Sequence, residues 1–279
     1  MKISVITVNR NNVSGLRSTI QSVIAQTAAP SEFIIIDGAS IDGSAQLLQE
    51  YREYISYSIS EPDNGIYYAM NKGIAQAHGD YCIFMNSGDC FASPDVLEKV
   101  LSSGASADII CGDAVVYKDK QERWPSPDDI TLSFLYEQSI CHQAAFIRRS
   151  LLEAGYDDSL KIVADRKFFL EALVFGGCSY AHINVDVVNY DLNGFSAQNR
   201  FASEQEWESV LRNMLPERIL LDYGRQSHGA LYGASDYERL FLEIGRRRWR
   251  TPVYRLVRGF LNVMSVFVPS ARFVKDIKG

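Results

Sequence analysis

Four times in its first hundred residues, this chain alternates a strand-like stretch with a helix-like one, and each strand-like stretch breaks into a polar turn. Residues 3–8 are rich in β-branched side chains and stop at Asn9-Arg10-Asn11-Asn12. Leu16, Ile20, Val23 and Ile24 then recur at helical spacing until Pro30 closes the unit. Residues 33–36 are a second apolar run ending in Asp37-Gly38-Ala39-Ser40, and Asp42 is placed to cap a helix through Ala45, Leu48 and Tyr51. Residues 57–60 are a weaker strand running into Glu61-Pro62-Asp63-Asn64-Gly65, followed by a helix through Ile66, Met70, Ile74 and Ala77 that Gly79 ends. The fourth strand, residues 81–85, stops at Asn86-Ser87-Gly88-Asp89, and Ser93-Pro94 opens a helix through Val96, Leu97, Val100 and Leu101. Short connections in this rhythm mean an α/β fold with a mainly parallel, doubly wound sheet.

Ligands of such sheets bind outside the carboxyl ends of the strands. Three successive ends carry a carboxylate beside a small residue: Asp37, Asp63 and Asp89. Each alone is an ordinary turn former; together they line one sheet edge. An acidic edge suits a ligand with hydroxyls and base-edge donors, or a metal held between carboxylate and phosphate. Backbone N–H groups at glycines and helix N-termini suit phosphate oxygens. The sequence has no G-x-x-x-x-G-K-[ST], no G-x-G-x-x-G after the first strand and no G-x-S-x-G, which removes P-loop, nicotinamide and common hydrolase readings. A net charge of −6 argues against nucleic acid as a partner.

After residue 105 the rhythm loosens. Residues 108–111, 114–117 and 144–147 read as strands and residues 185–190 as an edge strand, while Trp124-Pro125-Ser126-Pro127 breaks regular structure. A helix from about Val163 puts Phe168, Ala172 and Phe175 on one side, with Asp165 in its first turn. Beyond residue 200 only helices are expected, at 204–215 and 237–248. The five cysteines form no C-x-x-C pair, and Cys82, Cys111 and Cys178 lie in apolar surroundings, as buried free thiols of a reducing compartment would. The short apolar start at residues 3–8 is not a signal peptide, and no uncharged apolar run reaches the roughly 18 residues of a spanning helix. A cytoplasmic protein is expected.

Several stretches now carry a family resemblance: residues 3–11, Ile36-Asp37-Gly38-Ala39-Ser40-Ile41-Asp42-Gly43-Ser44, Ser60-Glu61-Pro62-Asp63-Asn64-Gly65-Ile66-Tyr67, Ala69-Met70-Asn71-Lys72-Gly73, Gly79-Asp80-Tyr81 and Met85-Asn86-Ser87-Gly88-Asp89. In this order they resemble the inverting glycosyltransferases of family 2, which have the GT-A nucleotide-sugar-binding fold. The resemblance runs from Ile3 to about Gln198. It implies a catalytic domain over 1–200, with a nucleotide-binding half at 1–110 and an acceptor half at 111–200, then a helical C-terminal region at 201–279. It further implies that Thr7, Asn9 and Asp37 hold a uracil and ribose, that Ser40, Asn86 and Gly88 belong to the donor site, that Asp63 closes the base pocket, and that Asn71 and Lys72 face the nucleotide. The family's metal motif carries more carboxylates than Asn86-Ser87-Gly88-Asp89, so Asp89 is the one expected contact to a divalent cation, Mg²⁺ or Mn²⁺.

Asp165 matches the position of the family's catalytic base; without the resemblance it is a helix-start carboxylate satisfying the dipole. His142, in Cys141-His142-Gln143, matches a family segment near the acceptor, or is a structural histidine at a strand edge. Gly194-Phe195-Ser196 matches a segment that closes on the diphosphate, or is a plain turn. The implied activity is transfer of a sugar from a nucleotide sugar, UDP-linked in preference, to a saccharide or lipid-linked acceptor in surface polysaccharide synthesis. The alternatives are a sugar nucleotidyltransferase and a non-catalytic nucleotide-sugar-binding module. Residues 246–279 combine arginines with an apolar stretch, which suits either an anionic membrane surface, on its inner face, or packing against protein, in this chain or an oligomer.

Overall fold

A computed structural model describes residues 1–117, 121–190 and 199–227. The chain divides into two compact units, Met1–Met214 and Leu215–Gly279. The first unit opens with β1 (Ile3–Asn9), α1 (Val13–Ile24), β2 (Glu32–Asp37), α2 (Ser44–Glu50), β3 (Tyr57–Ser60), α3 (Ile66–Gln76) and β4 (Tyr81–Phe84). It continues through β5 (Cys90–Phe91), α4 (Val96–Ser102), β6 (Ile109–Tyr117), β7 (Gln121–Trp124), α5 (Leu132–Glu137), β8 (Ala145–Arg148), α6 (Ala164–Leu170), β9 (Tyr180–Tyr190) and α7 (Arg200–Met214). In the second unit the described helix is α8 (Glu217–Ser227).

The expected parallel half is present. β1 lies between β2 and β4, parallel to both, and β3 adds on beyond β2. Every residue of β1 and β4 is buried, as strands covered on both faces require. α3 lies so close over β1 that a Cβ on Gly73 would meet Ile6 Cγ2 at 2.5 Å, which fixes the helix whose N-terminus opens on the site. Two expected starts shift slightly. Gly43, at φ 99°, takes the N-cap position of α2, while Asp42 accepts from the N–H groups of Ser44 and Val13 and so ties α2 to α1. α4 begins at Val96, two residues beyond Pro94.

The other half departs from simple alternation. β8 runs antiparallel between β4 and β6, so the sheet order is β3-β2-β1-β4-β8-β6-β9-β5, with β7 on β6. β6 is one strand where two were expected, its register shifting on either side of Asp113. β9 is longer than expected and internal, parallel to β6 and antiparallel to β5, which corrects its reading as an edge. β7 was not expected at all; its four residues are exposed and Trp124 ends it. Cys82 and Cys111 are buried free thiols, both pushed up to about 12 by burial, whereas Cys178 is only half-buried.

Among the described residues no helix is long and apolar enough to cross a membrane. Gly194-Phe195-Ser196, the helix expected at 237–248 and the basic segment 246–279 lie outside the described residues.

Candidate active site

A cavity of about 920 Å³ opens over the ends of β1 and β4 and the first turns of α3 and α6. Asn9, Asp63, Asn86, Asp89, His142 and Asp165, all singled out in the sequence, lie on its wall. Thr7, Asp37, Ser40, Asn71, Lys72 and Gly88 do not.

Asp37 sits behind the wall with no exposed surface. Its Oδ1 accepts from Asn9 Nδ2 at 2.6 Å and Ser40 Oγ at 2.6 Å, and its Oδ2 from the Ser40 N–H at 3.0 Å and Ser60 Oγ at 2.5 Å. Burial pushes this carboxyl up, but the two serines and Asn9 outweigh it and hold it below the usual carboxylate range. Ser40 Oγ also accepts from the Asn11 N–H at 2.7 Å. These bonds join the turns after β1 and β2, where Asn11 and Ala39 take left-handed φ values of 50° and 53°. Thr7 is equally buried and donates to the Met85 carbonyl at 2.7 Å. Thr7 and Asp37 therefore organise the floor of the site.

Asp63 takes the outer position. A Cβ on Gly38 would meet Asp63 Oδ2 at 2.4 Å, so glycine leaves the room that this carboxylate fills. Asp63 also accepts from the Gly65 N–H and pairs with Arg10 at 3.9 Å. Arg10 itself lines the cavity and was given no role from the sequence.

Asn71 and Lys72 are engaged elsewhere. Asn71 Nδ2 donates to the Tyr156 carbonyl at 2.8 Å, and its Oδ1 accepts from the Tyr156 N–H at 2.7 Å. Lys72 Nζ meets Glu61 at 2.5 Å and lies over the Tyr68 ring. Asn71 thus clamps the loop before α6, and Lys72 forms an ion pair with Glu61.

At the end of β4, Gly88 has φ 110° and its N–H donates to Thr19 Oγ1 at 3.0 Å, while Thr19 donates to the Asp89 carbonyl at 2.7 Å. That holds the Asp89 carboxylate at the wall, where it accepts from Gln143 Nε2 at 3.1 Å. Among the described residues no three His, Cys, Asp or Glu side chains converge to hold an ion. The Asn86 amide oxygen is buried without a hydrogen-bond partner, and Asn86 Nδ2 lies 3.5 Å from His142 Nε2.

Across the cavity His142 Nδ1 lies 2.7 Å from Asp165 Oδ2. The Tyr67 hydroxyl lies 2.6 Å from Asp165 Oδ1 and 2.7 Å from the Ile162 carbonyl oxygen. Burial pushes the Asp165 carboxyl up, yet His142 and Tyr67 hold it below the usual range. Burial, then the charge of Asp165, pushes the Tyr67 phenol well up. The Arg166 guanidinium stacks on Trp207 and is lowered to about 10 by burial, which the charge of Asp165 opposes. Trp124 and Tyr190 form an aromatic part of the wall, their ring centroids 6.4 Å apart. Tyr67 stands inside a quoted motif and Gln143 beside His142, but nothing local in the sequence signals their roles.

Residues 4–158 match the profile described as Glycosyl transferase family 2. An uncharacterised glycosyltransferase of Mycobacterium tuberculosis is 36% identical over 249 residues, covering 84% of this chain and 92% of the relative. Among solved structures, S. aureus TarS 1–349 in complex with UDP-GlcNAc matches with a TM-score of 0.65 at 17% identity, over 89% of this chain and 78% of that one. The mannosyltransferase PcManGT from Pyrobaculum calidifontis, in complex with GDP-Man and Mn²⁺, matches with a TM-score of 0.61 at 16% identity, over 96% and 81%. These likenesses show a GT-A fold.

Proposed function

Since the chain belongs to glycosyl transferase family 2, we propose that it moves a sugar from a UDP-sugar to a hydroxyl of a saccharide or lipid-linked acceptor, inverting the anomeric centre. Membership favours the transferase over the nucleotidyltransferase and the non-catalytic module. The observation that carries the finer reading is the two-sided cavity. Strand-end groups Asn9, Asp63, Asn86 and Asp89 stand on one side and the Asp165–His142 pair on the other. TarS and PcManGT bind UDP-GlcNAc and GDP-Man respectively, which supports a nucleotide sugar as donor.

In this mechanism the base and ribose lie over Asp63 and Arg10, on the floor built by Asp37 and Asn9. The acceptor stacks a sugar face on Trp124 and Tyr190. The Asp165–His142 pair removes the proton as the hydroxyl oxygen attacks the anomeric carbon. Alignment of the two substrates along one line gives inversion.

Asp89 is the residue that would hold a divalent cation, with the donor's diphosphate oxygens and water as the other ligands. One carboxylate is sufficient for Mg²⁺ in such a set. When bound, the ion would balance negative charge on the leaving diphosphate. Membrane attachment through 246–279 is proposed from the sequence alone, and flotation with anionic vesicles checks it.

The test is a melting-temperature screen of the full chain with UDP-, GDP- and dTDP-sugars, with and without Mg²⁺ or Mn²⁺, followed by nucleotide release. Bound ligand raises the transition by mass action. A UDP-sugar should raise it most and be slowly hydrolysed. No response to any nucleotide sugar would overturn the proposal.

A further inference from the structure

We infer that Tyr67 is a positioning residue for the base: its hydroxyl, set between Asp165 Oδ1 and the Ile162 carbonyl, holds the charged carboxylate in place and redirects its own proton once Asp165 is protonated. The inference rests on the transferase reading, with Asp165 as its base.

A carboxylate accepts about four hydrogen bonds, two on each oxygen. The side chains that meet Asp165 take one place on each: the Tyr67 hydroxyl lies 2.6 Å from Oδ1 and His142 Nδ1 2.7 Å from Oδ2. The Arg166 N–H approaches as well. A place therefore remains for an acceptor hydroxyl, on a side chain that lines the cavity. Held through one oxygen, a carboxylate swings about its Cβ–Cγ bond. Held through both, from α3 and from the turn before β8, it does not.

Tyr67 is itself fixed. It is buried, and its ring packs on Tyr156 with centroids 5.6 Å apart. One turn along α3, Asn71 grips the Tyr156 N–H and carbonyl, so one face of the helix secures both the phenol and the ring it leans on.

The hydroxyl has one proton and two acceptors, Asp165 Oδ1 at 2.6 Å and the Ile162 carbonyl oxygen at 2.7 Å. A charged acceptor makes the stronger bond, so the proton points at Asp165 while it is ionised. The titratable and charged groups facing Asp165 are His142, Arg166, Tyr67 and Tyr156. Burial and the charge of Asp165 push the Tyr67 phenol well up, so it keeps its proton and only turns it.

The step balances as follows. The acceptor O–H bond breaks and its proton goes to Asp165, while the oxygen pair forms the new bond to the anomeric carbon. The bond from that carbon to the diphosphate oxygen breaks, and its electron pair leaves with the nucleoside diphosphate. Asp165 is now neutral, and the Tyr67 proton turns to the Ile162 carbonyl until Asp165 returns its own proton to water.

The first test needs no substrate. The Asp165 carboxyl, followed by ¹³C in aspartate-labelled protein and assigned through Asp165→Asn, should titrate higher in Tyr67→Phe than in wild type, by about one pH unit. No upward shift overturns the inference, whatever becomes of the transferase reading.

The second test follows UDP release from UDP-glucose, UDP-galactose and UDP-N-acetylglucosamine against pH, with water as acceptor. Tyr67→Phe should lower kcat on the plateau about tenfold to a hundredfold, the cost of a misplaced base, with the donor KM unchanged. The acid limb of kcat/KM should move up by about one unit. Monofluorotyrosine in place of Tyr67, a stronger donor, should move that limb the other way, and serves also if the phenylalanine variant does not fold. A merely structural tyrosine moves neither limb, and that result overturns the inference. If wild type releases nucleotide from no nucleotide sugar, the transferase reading fails instead, and the carboxyl titration still decides the contact.

Discussion

Replacing Asp37 by asparagine separates a carboxylate that builds the site from one that touches the ligand. The native carboxylate accepts four hydrogen bonds and is fully buried. An amide keeps one acceptor oxygen. Its NH₂ is best placed at the Oδ1 side, because Ser40 can rotate its hydroxyl there and Asn9 can flip, its own Oδ1 having no hydrogen-bond partner. The Ser40 N–H on the other side cannot turn. Even in that arrangement four bonds lose their charge. Hydrogen bonds to charged groups contribute about 1.5–3 kcal/mol against about 0.5–1.5 for neutral ones, so the four bonds together lose about 4–6 kcal/mol; the relieved cost of burying a charge offsets part of this, and we expect a net loss of about 2–4 kcal/mol. For a unit of this size that lowers the melting temperature by roughly 4–16 °C.

The assay is thermal unfolding by circular dichroism between pH 3 and pH 7. The folded-state pKa of Asp37 is lowered, so its contribution is present above the unfolded value, about 3.9, and is lost as pH falls through the folded one. The gap between wild type and Asp37→Asn should therefore be full at pH 7 and close in acid. A variant that melts within a degree of wild type at pH 7 but no longer responds to UDP would refute the reasoning, and return Asp37 to the ligand.

Asn71→Ala leaves the Tyr156 N–H and carbonyl without their partner, and should cost about 1–3 kcal/mol in urea unfolding with the UDP affinity of the folded protein unchanged. His182 bridges Asp128 and Asp113 at 2.7 and 2.9 Å; burial lowers its pKa but these carboxylates outweigh it, and the net shift is upwards. Its contribution is thus full below the unfolded value of about 6.5 and fades as pH rises through the folded one, so melting curves should fall more steeply with pH in wild type than in His182→Gln. For Asp89→Asn, the extra melting shift that Mg²⁺ adds to UDP should vanish while the shift from UDP alone persists, as a titration with and without EDTA would show. Arg10→Ala removes an exposed cation from the cavity wall and should weaken UDP binding by roughly tenfold or less, an effect that fades with added salt in calorimetry.

The parallel half of the sheet was legible because its signals are local. Each of β1 to β4 is a short apolar run followed by a turn and a helix, and that alternation is what marks a parallel sheet. The other half was not, because its order depends on partners far along the chain. Nothing near Ala145 says that β8 runs between β4 and β6. β7 carries Gln121, Glu122 and Arg123, with no apolar alternation to mark it. The same limit applies to the site. The sequence supplied Asp165 and His142 as separate candidates, but their roles depend on Tyr67, which lies far away along the chain and meets Asp165 only once α3 and α6 are packed. The bond from Asn71 to Tyr156 was illegible for the same reason, since Tyr156 is equally remote along the chain.

Three acidic strand ends suggested one acidic pocket, and the structure divides them instead. Asp37 is used internally, its charge answered by hydroxyls and amides behind the wall. Asp63 is paired with Arg10, and Asp89 accepts from Gln143. Cationic Lys161 and Arg166 join Arg10 on the cavity wall. The field inside the cavity is therefore less negative than a count of aspartates implies, which suits the anionic donor proposed for this chain of net charge −6. Arg10 pairs with Asp63, on the proposed nucleotide side, and Asp89 at the β4 turn accepts from Gln143. In the proposed transfer, the two sources that could balance the leaving group beside Asp89 are an ion from solution and Arg166 on the wall of α6. The Mg²⁺ dependence of Asp89→Asn distinguishes those two sources.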